Sequence, residues 1–341
     1  MKKKKKLFRL LAMFLVLVLL VGGYVAITVL HPFSEEETTG IEDTQEEEKI
    51  KVASYNEDHI NEITYTKGKT KIHLVKKKDT WTATNDAACP VNKYTVNAML
   101  TCLKEVTASR KIEDDSEEDF GLDNPTKVIT FVVDGETVTY TIGALNDIVD
   151  KYYFQCSGDD AIYMIDSTMY NSFDYDLLGL AQVPDYPSLT SQTISYLTLQ
   201  KGDKTVYIVD TKDAAHKSLS DEIPDPVWAK GSSKSKVKKM DTDTADDLIE
   251  AVLGLTNTEC VTYKATQKDM EKYGMTKPSM VLTVHYTKVN DKKKTIQDKS
   301  YQITFGKTDK DSGEYYVYTD QGTGIYTMNV SNVETLLQVL K

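Results

Sequence analysis

The segment EDFGLDNPTKVITF, residues 118–131, decides the fold because the chain nearly repeats it as EKYGMTKPSMVLTV at 271–284. Each copy has an acidic residue, an aromatic residue, Gly, a large apolar residue, two polar residues, Pro and an apolar-rich run. The shared corner positions are Phe120, Gly121 and Pro125 in the first copy and Tyr273, Gly274 and Pro278 in the second. We predict a structural corner built twice.

The residue types of this corner indicate a backbone role. Glycine adopts the positive φ angles that other residues resist. Proline before a strand is tolerated because no ladder donor is needed there, and we expect the aromatic residue to pack on the helix that has just ended. Within the six-residue stretches FGLDNP and YGMTKP, no position ionises in both copies, since Asp123 faces Thr276 and Asn124 faces Lys277. A duplicated active site is therefore the weaker interpretation.

The repeat continues on both sides of the corner. Upstream, Trp81 faces Trp228, and downstream the matching residues are Gly143 with Gly306, Tyr152–Tyr153 with Tyr315–Tyr316, and Tyr163 with Tyr326. The second copy is longer at VNDKKKTIQDK (289–299), where we expect a lengthened loop between strands. These matches predict repeat unit 1 at 55–183, a linker at 184–189 that contains Pro and Ser, and repeat unit 2 at 190–341.

Hydrophobic periodicity predicts the order β-β-α-β-β-β-β-α for each unit. Residues 61–83 alternate around Lys67-Gly68, and Asp134-Gly135 and Ser157-Gly158 are turn signals for two further hairpins. The helix of unit 1 follows the cap residue Asn92, and its apolar face is Val96, Met99, Leu100, Leu103 and Val106. The predicted fold class is α+β, with two tandem repeats, each an antiparallel sheet with packed helices.

The N-terminus carries a membrane signal. Residues 1–9 include Lys2 to Lys6, and residues 10–30 are apolar without a charge, which is long enough to cross the hydrocarbon core. We predict a transmembrane signal anchor at 10–30 with residues 1–9 in the cytoplasm, while a cleaved signal peptide is the alternative. Residues 31–54 are acidic and predict a solvated stalk that leads to an extracytoplasmic body.

Charge and motifs exclude several classes of function. The chain has 52 acidic and 41 basic residues, and six of the basic residues lie within 1–30. An acidic body argues against a nucleic-acid partner. We find no nucleophile elbow, phosphate-binding loop or zinc-binding helix, and the sequence DTDTADD (241–247) suits a helix N-cap better than a calcium loop. We therefore predict no catalytic residue, no metal site and no cofactor.

Two further features have ordinary explanations. The basic run GSSKSKVKK (231–239) is interpreted as a flexible loop. The cysteines are Cys89, Cys102, Cys156 and Cys260; an extracytoplasmic location permits disulfides. Their matched positions in the other repeat are not Cys where the alignment gives a partner (Cys102 faces Gly254), so the framework does not require bridges. Cys102 is expected to be a buried thiol.

The two copies of FGLDNP/YGMTKP, TIG/TFG and KYYF/EYYV, with a Trp after the first hairpin, resemble the bacterial family catalogued as domain of unknown function 4340. The resemblance covers about 55–341. It implies a single-anchored protein of the cell envelope, and some members resemble auxiliary components of gliding-motility-type ABC transport systems. The family supplies no established catalytic residues, so none is carried over.

Our functional hypothesis is a non-enzymatic protein in the cell membrane, docked on a membrane partner such as an ABC-type transporter. One alternative is a module that binds cell-wall glycan or peptide through its Tyr-rich surface, since the chain has 21 Tyr. The other is a hydrolase with an unrecognised set of residues. Neighbouring ATPase and permease genes would favour the first hypothesis, and retention on purified cell wall would favour the second.

Overall fold

The computed structural model describes residues 49–112, 119–220, 222–290 and 292–340. The predicted cytoplasmic segment, the anchor at 10–30 and most of the predicted stalk lie outside these residues. Among the residues described, no helix combines the length and the apolar character needed to cross a membrane.

The first repeat consists mainly of short antiparallel strands. In chain order its elements are β1 (Ile50–Ser54), β2 (Ile60–Lys67), β3 (Thr70–Lys77), β4 (Thr80–Ala83), α1 (Lys93–Lys104), β5 (Glu105–Ala108), β6 (Arg110–Ile112), β7 (Lys127–Val133), β8 (Glu136–Asn146), β9 (Lys151–Cys156), β10 (Ile162–Ile165), α2 (Ser167–Ser172) and α3 (Leu177–Leu180).

The second repeat has the same plan with longer strands. Its elements are β11 (Ile194–Lys201), β12 (Lys204–Asp210), β13 (Trp228–Ser233), β14 (Lys236–Lys239), α4 (Thr242–Leu253), β15 (Asn257–Thr262), α5 (Gln267–Lys272), β16 (Met280–Asn290), β17 (Thr295–Thr308), β18 (Tyr315–Thr319), β19 (Ile325–Met328) and α6 (Val330–Val339). Short 3-10 turns lie at Glu57–His59, Ser191–Thr193 and Ala214–Lys217.

The strand order shows that the two repeats share one topology. In the described residues, the first sheet runs β4-β3-β2-β7-β8-β9-β10-β6, and the second runs β14-β13-β12-β11-β16-β17-β18-β19-β15. Apart from β14, each strand of the second sheet occupies the place of its counterpart in the first. The chain is therefore an α+β protein with an internal repeat.

Local sequence explains several of the turns and caps. Asp134 and Gly135 both have positive φ, at 54° and 84°, which is the backbone of a tight hairpin turn. Gly68 and Gly158 are also at positive φ. The side chain of Asn92 accepts the N–H of Tyr94 at 2.9 Å and caps α1, as predicted.

Four of the predictions about elements and their boundaries were wrong. Residues 50–54 form β1, which pairs with β5, so the stalk prediction extended too far. Helix α1 ends at Lys104, and Val106 therefore lies on β5. The residues 231–239 form the β13–β14 hairpin, and the extra residues 289–299 mostly extend strands β16 and β17, which stay paired to Asn290 and Thr295. In each case, pairing between strands satisfies the backbone groups of residues that we had assigned to a stalk, a helix or a loop.

Each sheet packs its own pair of helices. Helix α1 contacts α2 in the first repeat, and α4 contacts α6 in the second. The helices bury the expected apolar faces: Val96, Met99, Leu100 and Leu103 on α1, and Ala245, Leu248, Ile249, Ala251 and Val252 on α4. The two sheets share no strand in the described residues, but most of the buried apolar side chains of both repeats form one contiguous cluster, while Phe120, Tyr153 and Met164 form a smaller one.

The linker packs on the second repeat. The Tyr186 hydroxyl donates to Asn257 Oδ1 at 2.8 Å, and its ring stacks on Tyr301 with ring centres 5.3 Å apart. The Asn257 side chain donates to the carbonyl oxygen of Pro184 at 2.8 Å. The segment between the repeats is therefore held by side chains of β15 and β17.

Candidate functional site

The two corner glycines have the backbone that the sequence predicted. Gly121 has φ +69° and Gly274 has φ +84°. The carbonyl of the preceding aromatic residue accepts a hydrogen bond from the strand that follows the next hairpin turn: Ala144 N–H donates to Phe120 O, and Lys307 N–H donates to Tyr273 O, both at 2.9 Å. The corner is thus clamped to β8 in one repeat and to β17 in the other.

The glycine in TIG and TFG lies against the same corner carbonyl group. A Cβ atom on Gly143 would lie 2.2 Å from Phe120 O, and one on Gly306 would lie 2.2 Å from Tyr273 O. Only a residue without a side chain allows this approach. The two short motifs, which are far apart in sequence, are therefore the two sides of one backbone contact.

The main ring contact of each corner aromatic residue is with a neighbouring strand, where we had expected the preceding helix. Phe120 packs edge-on against Tyr153 with ring centres 4.8 Å apart, and Tyr273 packs against Tyr316 at 4.6 Å. The partner is the second Tyr of KYYF or EYYV, on the neighbouring strand β9 or β18. Pro125 and Pro278 each lie two residues before a strand, as expected for residues that cannot donate to a ladder.

These tyrosines connect the corner to the tip of a hairpin. Asn146 Nδ2 donates to Tyr153 Oη at 2.9 Å in the first repeat. In the second, the Tyr316 hydroxyl donates to Asp309. This bond and the N–H groups of Ser312 and Asp311 hold the pKa of the Asp309 carboxyl at about 2, so it is an anion at neutral pH.

The tips of the β8–β9 and β17–β18 hairpins have matching backbones. The N–H of Ile148 donates to Asn146 Oδ1 at 3.1 Å, and the N–H of Asp311 donates to Asp309 Oδ1 at 2.8 Å. Each tip has one residue with positive φ at the equivalent place, which is Asp150 in the first repeat and Gly313 in the second. The tip backbone therefore does not depend on which side chains stand at its top.

The side chains at the top differ in polarity. In the β8–β9 tip, Ile148 is 93% exposed and Val149 is 50% exposed. The equivalent residues of the second repeat are Asp311 and Ser312. Exposing aliphatic side chains to water is unfavourable in free energy. The second repeat has the same tip backbone with polar side chains, so the fold does not require aliphatic residues here. We call Leu145, Ile148 and Val149 the apolar tip, and it is the candidate docking site.

Sequence reasoning missed this tip. The signal was present, because aligning the repeats on Gly143 and Gly306 places Ile148 opposite Asp311. A hydrophobic residue at a turn whose repeat counterpart is charged is a departure from the shared plan. The corner residues Phe120, Gly121 and Pro125 are instead on the side of β8 and β9 that supports this tip, and Tyr273, Gly274 and Pro278 belong to the equivalent corner of the second repeat.

A second feature of interest lies around His216. Its Nδ1 is 2.6 Å from Asp213 Oδ1 and its Nε2 is 2.8 Å from Asp298 Oδ1. Carboxylates accept hydrogen bonds, so both bonds form together when both ring nitrogens carry a proton and the ring is a cation. These two hydrogen bonds raise the pKa of His216 above its ordinary value. We call these three residues the Asp-His-Asp clamp.

The described residues offer little for covalent or metal chemistry. Burial raises the pKa of the Cys89 and Cys260 thiols to about 11 in each case, which leaves almost no thiolate at neutral pH. All four cysteines are free thiols, and Cys102 is only half-buried, with its Sγ 3.3 Å from Ser172 Oγ. Within the described ranges, no cluster of three or more His, Cys, Asp or Glu side chains is placed to hold a metal ion.

Comparison with known families assigns the chain. The family described as Domain of unknown function (DUF4340) matches residues 81–264 and again 233–341. The chain belongs to this family. The double match agrees with the tandem copies seen in the two sheets, and the DUF4340 matches together run from Trp81 to the last residue of the chain. No curated protein and no solved structure matches the chain.

Proposed function

We propose that this DUF4340 protein is a non-enzymatic, membrane-anchored docking protein whose apolar tip inserts into a pocket on an integral membrane partner, such as an ABC-type transporter, outside the cytoplasm. The observation that carries the proposal is Ile148, which is 93% exposed at a position where the other repeat has Asp311. Docking would bury this side chain and Val149.

The charges around the tip favour a protein pocket over a lipid surface. Asp147 and Asp150 flank Ile148 and Val149 directly in sequence. The surface of a membrane leaflet with anionic lipids would repel both carboxylates. A pocket with an apolar floor and a basic rim would complement the apolar pair and both charges.

The size of the tip indicates that docking depends on the anchor. Burying one Ile contributes roughly 1.5–3 kcal/mol, and an affinity of 1 mM corresponds to about 4 kcal/mol. Two aliphatic side chains alone thus give weak binding. A membrane anchor at 10–30 supplies high effective concentration, and the residues that link it to Lys49 span at most roughly 60 Å at about 3.4 Å each. Such a tether keeps the tip near membrane partners.

Site-specific photo-crosslinking in intact cells tests the docking. A photoreactive amino acid replaces Leu145, the least exposed of the three tip residues at 37%, and a matched probe replaces Thr308 in the second repeat. We expect an adduct from position 145 that mass spectrometry identifies as an integral membrane protein, and no such adduct from position 308. The double substitution Ile148→Asp and Val149→Ser, which copies the second tip, should abolish the adduct.

Other results would overturn the docking proposal. An adduct with lipid, with cell wall or with a second copy of the chain would identify a different occupant of the tip. An adduct unaffected by the double substitution would show that the apolar side chains do not carry the contact. The absence of any adduct at position 145 would also count against it.

The proposed membrane topology has its own test. Protease added to intact protoplasts should degrade residues 49–341 and leave a short anchored fragment. A body that survives until the cells are lysed would place it on the cytoplasmic side, and the proposal would fail.

A further inference from the structure

A cavity of about 450 Å³ lies in the second repeat, where three segments without a counterpart in the first repeat meet. They are the connection 211–227 between β12 and β13, the β13–β14 hairpin, and the extended ends of β16 and β17. In the first repeat, a turn at Lys78-Asp79 replaces the connection. The cavity is lined by Ser195, Tyr196, Val209, Asp210, Asp213, His216, Lys234, His285, Asp298 and Lys299.

The walls of the cavity are held by buried hydrogen bonds. The Asp210 carboxylate accepts the N–H groups of Ala214 at 2.7 Å and of Val227 at 2.9 Å, which closes the base of the connection. The Thr287 hydroxyl donates to the Ala215 carbonyl at 2.8 Å. The Asp-His-Asp clamp then joins the connection to β17 through Asp298. This is a preformed site, which lowers the entropic cost of binding.

One side of the cavity is cationic and aromatic. The rings of Tyr196 and His285 stack with centres 3.9 Å apart and planes at 12°. The Lys234 ammonium lies 3.7 Å from the centre of the Tyr196 ring. The Lys234 ammonium has no ion pair and no hydrogen bond with any of the described residues. This ammonium group is thus available to an anion.

The other side offers carboxylate oxygens. Asp213 and Asp298 each bond His216 through Oδ1. Their Oδ2 atoms accept no hydrogen bond from the part of the chain that the structure describes. Because one imidazolium sits between two carboxylates, the clamp keeps one net negative charge. A ligand cation would find acceptors there.

We propose that this cavity binds a small zwitterion, a free amino acid or a short peptide with charged ends. Its carboxylate pairs with the Lys234 ammonium, and its ammonium meets Asp213 and Asp298. A ligand with only negative charge would be repelled by the clamp, and one with only positive charge by Lys234, so a ligand with both is complementary to the whole site. The volume falls in the range of small-molecule sites. The proposal is independent of docking through the apolar tip.

Calorimetric titration of the full-length protein in detergent tests the ligand class. The probe is the dipeptide L-Ala-L-Ala, compared with its N-acetylated form, which lacks the ammonium, and with its C-terminal amide, which lacks the carboxylate. We expect both blocked forms to bind at least about tenfold more weakly than the free dipeptide.

Two matched variants test the location. Lys234→Gln should weaken binding of the dipeptide at least about tenfold. Lys236→Gln changes a lysine of the same hairpin that does not line the cavity, and should leave the affinity unchanged. Both lysines are exposed, and equal melting temperatures would confirm that the variants fold.

Three results would overturn the assignment. If the titration shows no heat of binding at about 10 mM dipeptide, a useful site is excluded. Equal binding of the N-acetylated form would show an anion site without selection for a zwitterion. An unchanged affinity in the variant at position 234 would place binding elsewhere.

Discussion

Gly121 combines two constraints that a substitution can separate. It has positive φ, and a Cβ atom on it would lie 2.8 Å from the Ala144 nitrogen. Gly135 also has positive φ, at +84°, but a Cβ atom there would meet nothing within 4 Å. Gly135 is therefore a control that carries the backbone strain without the clash.

We expect Gly135→Ala to lower the free energy of unfolding by roughly 1 kcal/mol and Gly121→Ala by roughly 2–4 kcal/mol. Gly274→Ala in the second repeat should resemble Gly121→Ala, because Lys307 lies as close to it. Urea denaturation measures all three. Equal losses at 121 and 135 would mean that the close approach to β8 contributes nothing.

Lys127 is a buried cation that replaces an apolar residue of the repeat. It is 3% exposed, and its ammonium donates to Tyr170 O, Phe173 O and Asp174 Oδ1 at 3.0, 2.9 and 3.1 Å. Burial is the main influence on its pKa, which lies below the ordinary value for lysine. The equivalent residue of the second repeat is Met280, which is fully buried. The lysine therefore ties β7 to the end of α2.

We expect Lys127→Met to lower the free energy of unfolding by roughly 1–3 kcal/mol, because two carbonyl groups lose their donor. The control is Lys67→Met, which removes the other, 40% exposed, partner of Asp174 and should cost less, because solvent screens an exposed ion pair. The measurement is chemical denaturation at neutral pH. If Lys127→Met lowers the free energy of unfolding by less than Lys67→Met does, this role for Lys127 is contradicted.

At the scale of elements, the Asp-His-Asp clamp predicts a pH dependence. The pKa of His216 is raised by hydrogen bonds to Asp213 and Asp298, so the folded protein binds the proton more tightly than the unfolded chain. The resulting stability is complete below the unfolded pKa of about 6.5 and is lost as the pH rises through the folded pKa.

We therefore expect the difference in unfolding midpoint between the wild type and His216→Gln to be larger at about pH 6 than at about pH 9. The side chain of His216 is 40% exposed, so salt should reduce the difference. Asp298→Asn should show a weaker pH dependence than the wild type. A difference that grows with rising pH would contradict the clamp.

The hairpins show how far sequence reasoning reaches for an element. Lys67-Gly68, Asp134-Gly135 and Ser157-Gly158 were found as turns because local backbone preference is written in adjacent residues. The β13–β14 hairpin was missed, because its polar residues 231–239 have no turn glycine at the tip and gain order from pairing with β12 and with each other. Propensity is overridden there by tertiary pairing.

At the scale of the whole molecule, the linker decides where the chain can be divided. The Asn257 side chain bonds to the carbonyl of Pro184 and to the Tyr186 hydroxyl, and the Tyr186 ring stacks on Tyr301. We expect a fragment of residues 183–341 to be more stable than one of 190–341, by roughly 1–3 kcal/mol, because it keeps these contacts. Urea denaturation of the two fragments measures the difference, and equal midpoints would contradict it.

The independence of the repeats remains a prediction. Each repeat has a complete sheet and its own helices, so we expect fragments 49–182 and 183–341 each to unfold cooperatively. Each should be less stable than the joined body, because the buried apolar cluster is continuous and the Tyr263 hydroxyl donates to Asp86 across the repeats at 2.7 Å. If neither fragment folds while the joined body does, the repeats form one cooperative unit.

The sequence by itself determined the duplication, the fold class, the turns, the helix caps and the positive φ of Gly121 and Gly274. These features depend on residues that are adjacent or regularly spaced, and glycine, proline and apolar periodicity report them directly. The cytoplasmic segment, the anchor and the partner stay predictions, since they fall on residues or molecules beyond those described.

Only the tertiary structure decided which distant residues meet. It placed Gly143 against Phe120, turned the corner aromatic residue toward Tyr153 instead of the helix, paired β1 with β5, and brought Asp213, His216 and Asp298 together. It also left Ile148 in water. Such contacts depend on packing between segments far apart in the chain, where many arrangements satisfy the same local preferences and the burial of the whole apolar cluster selects one of them.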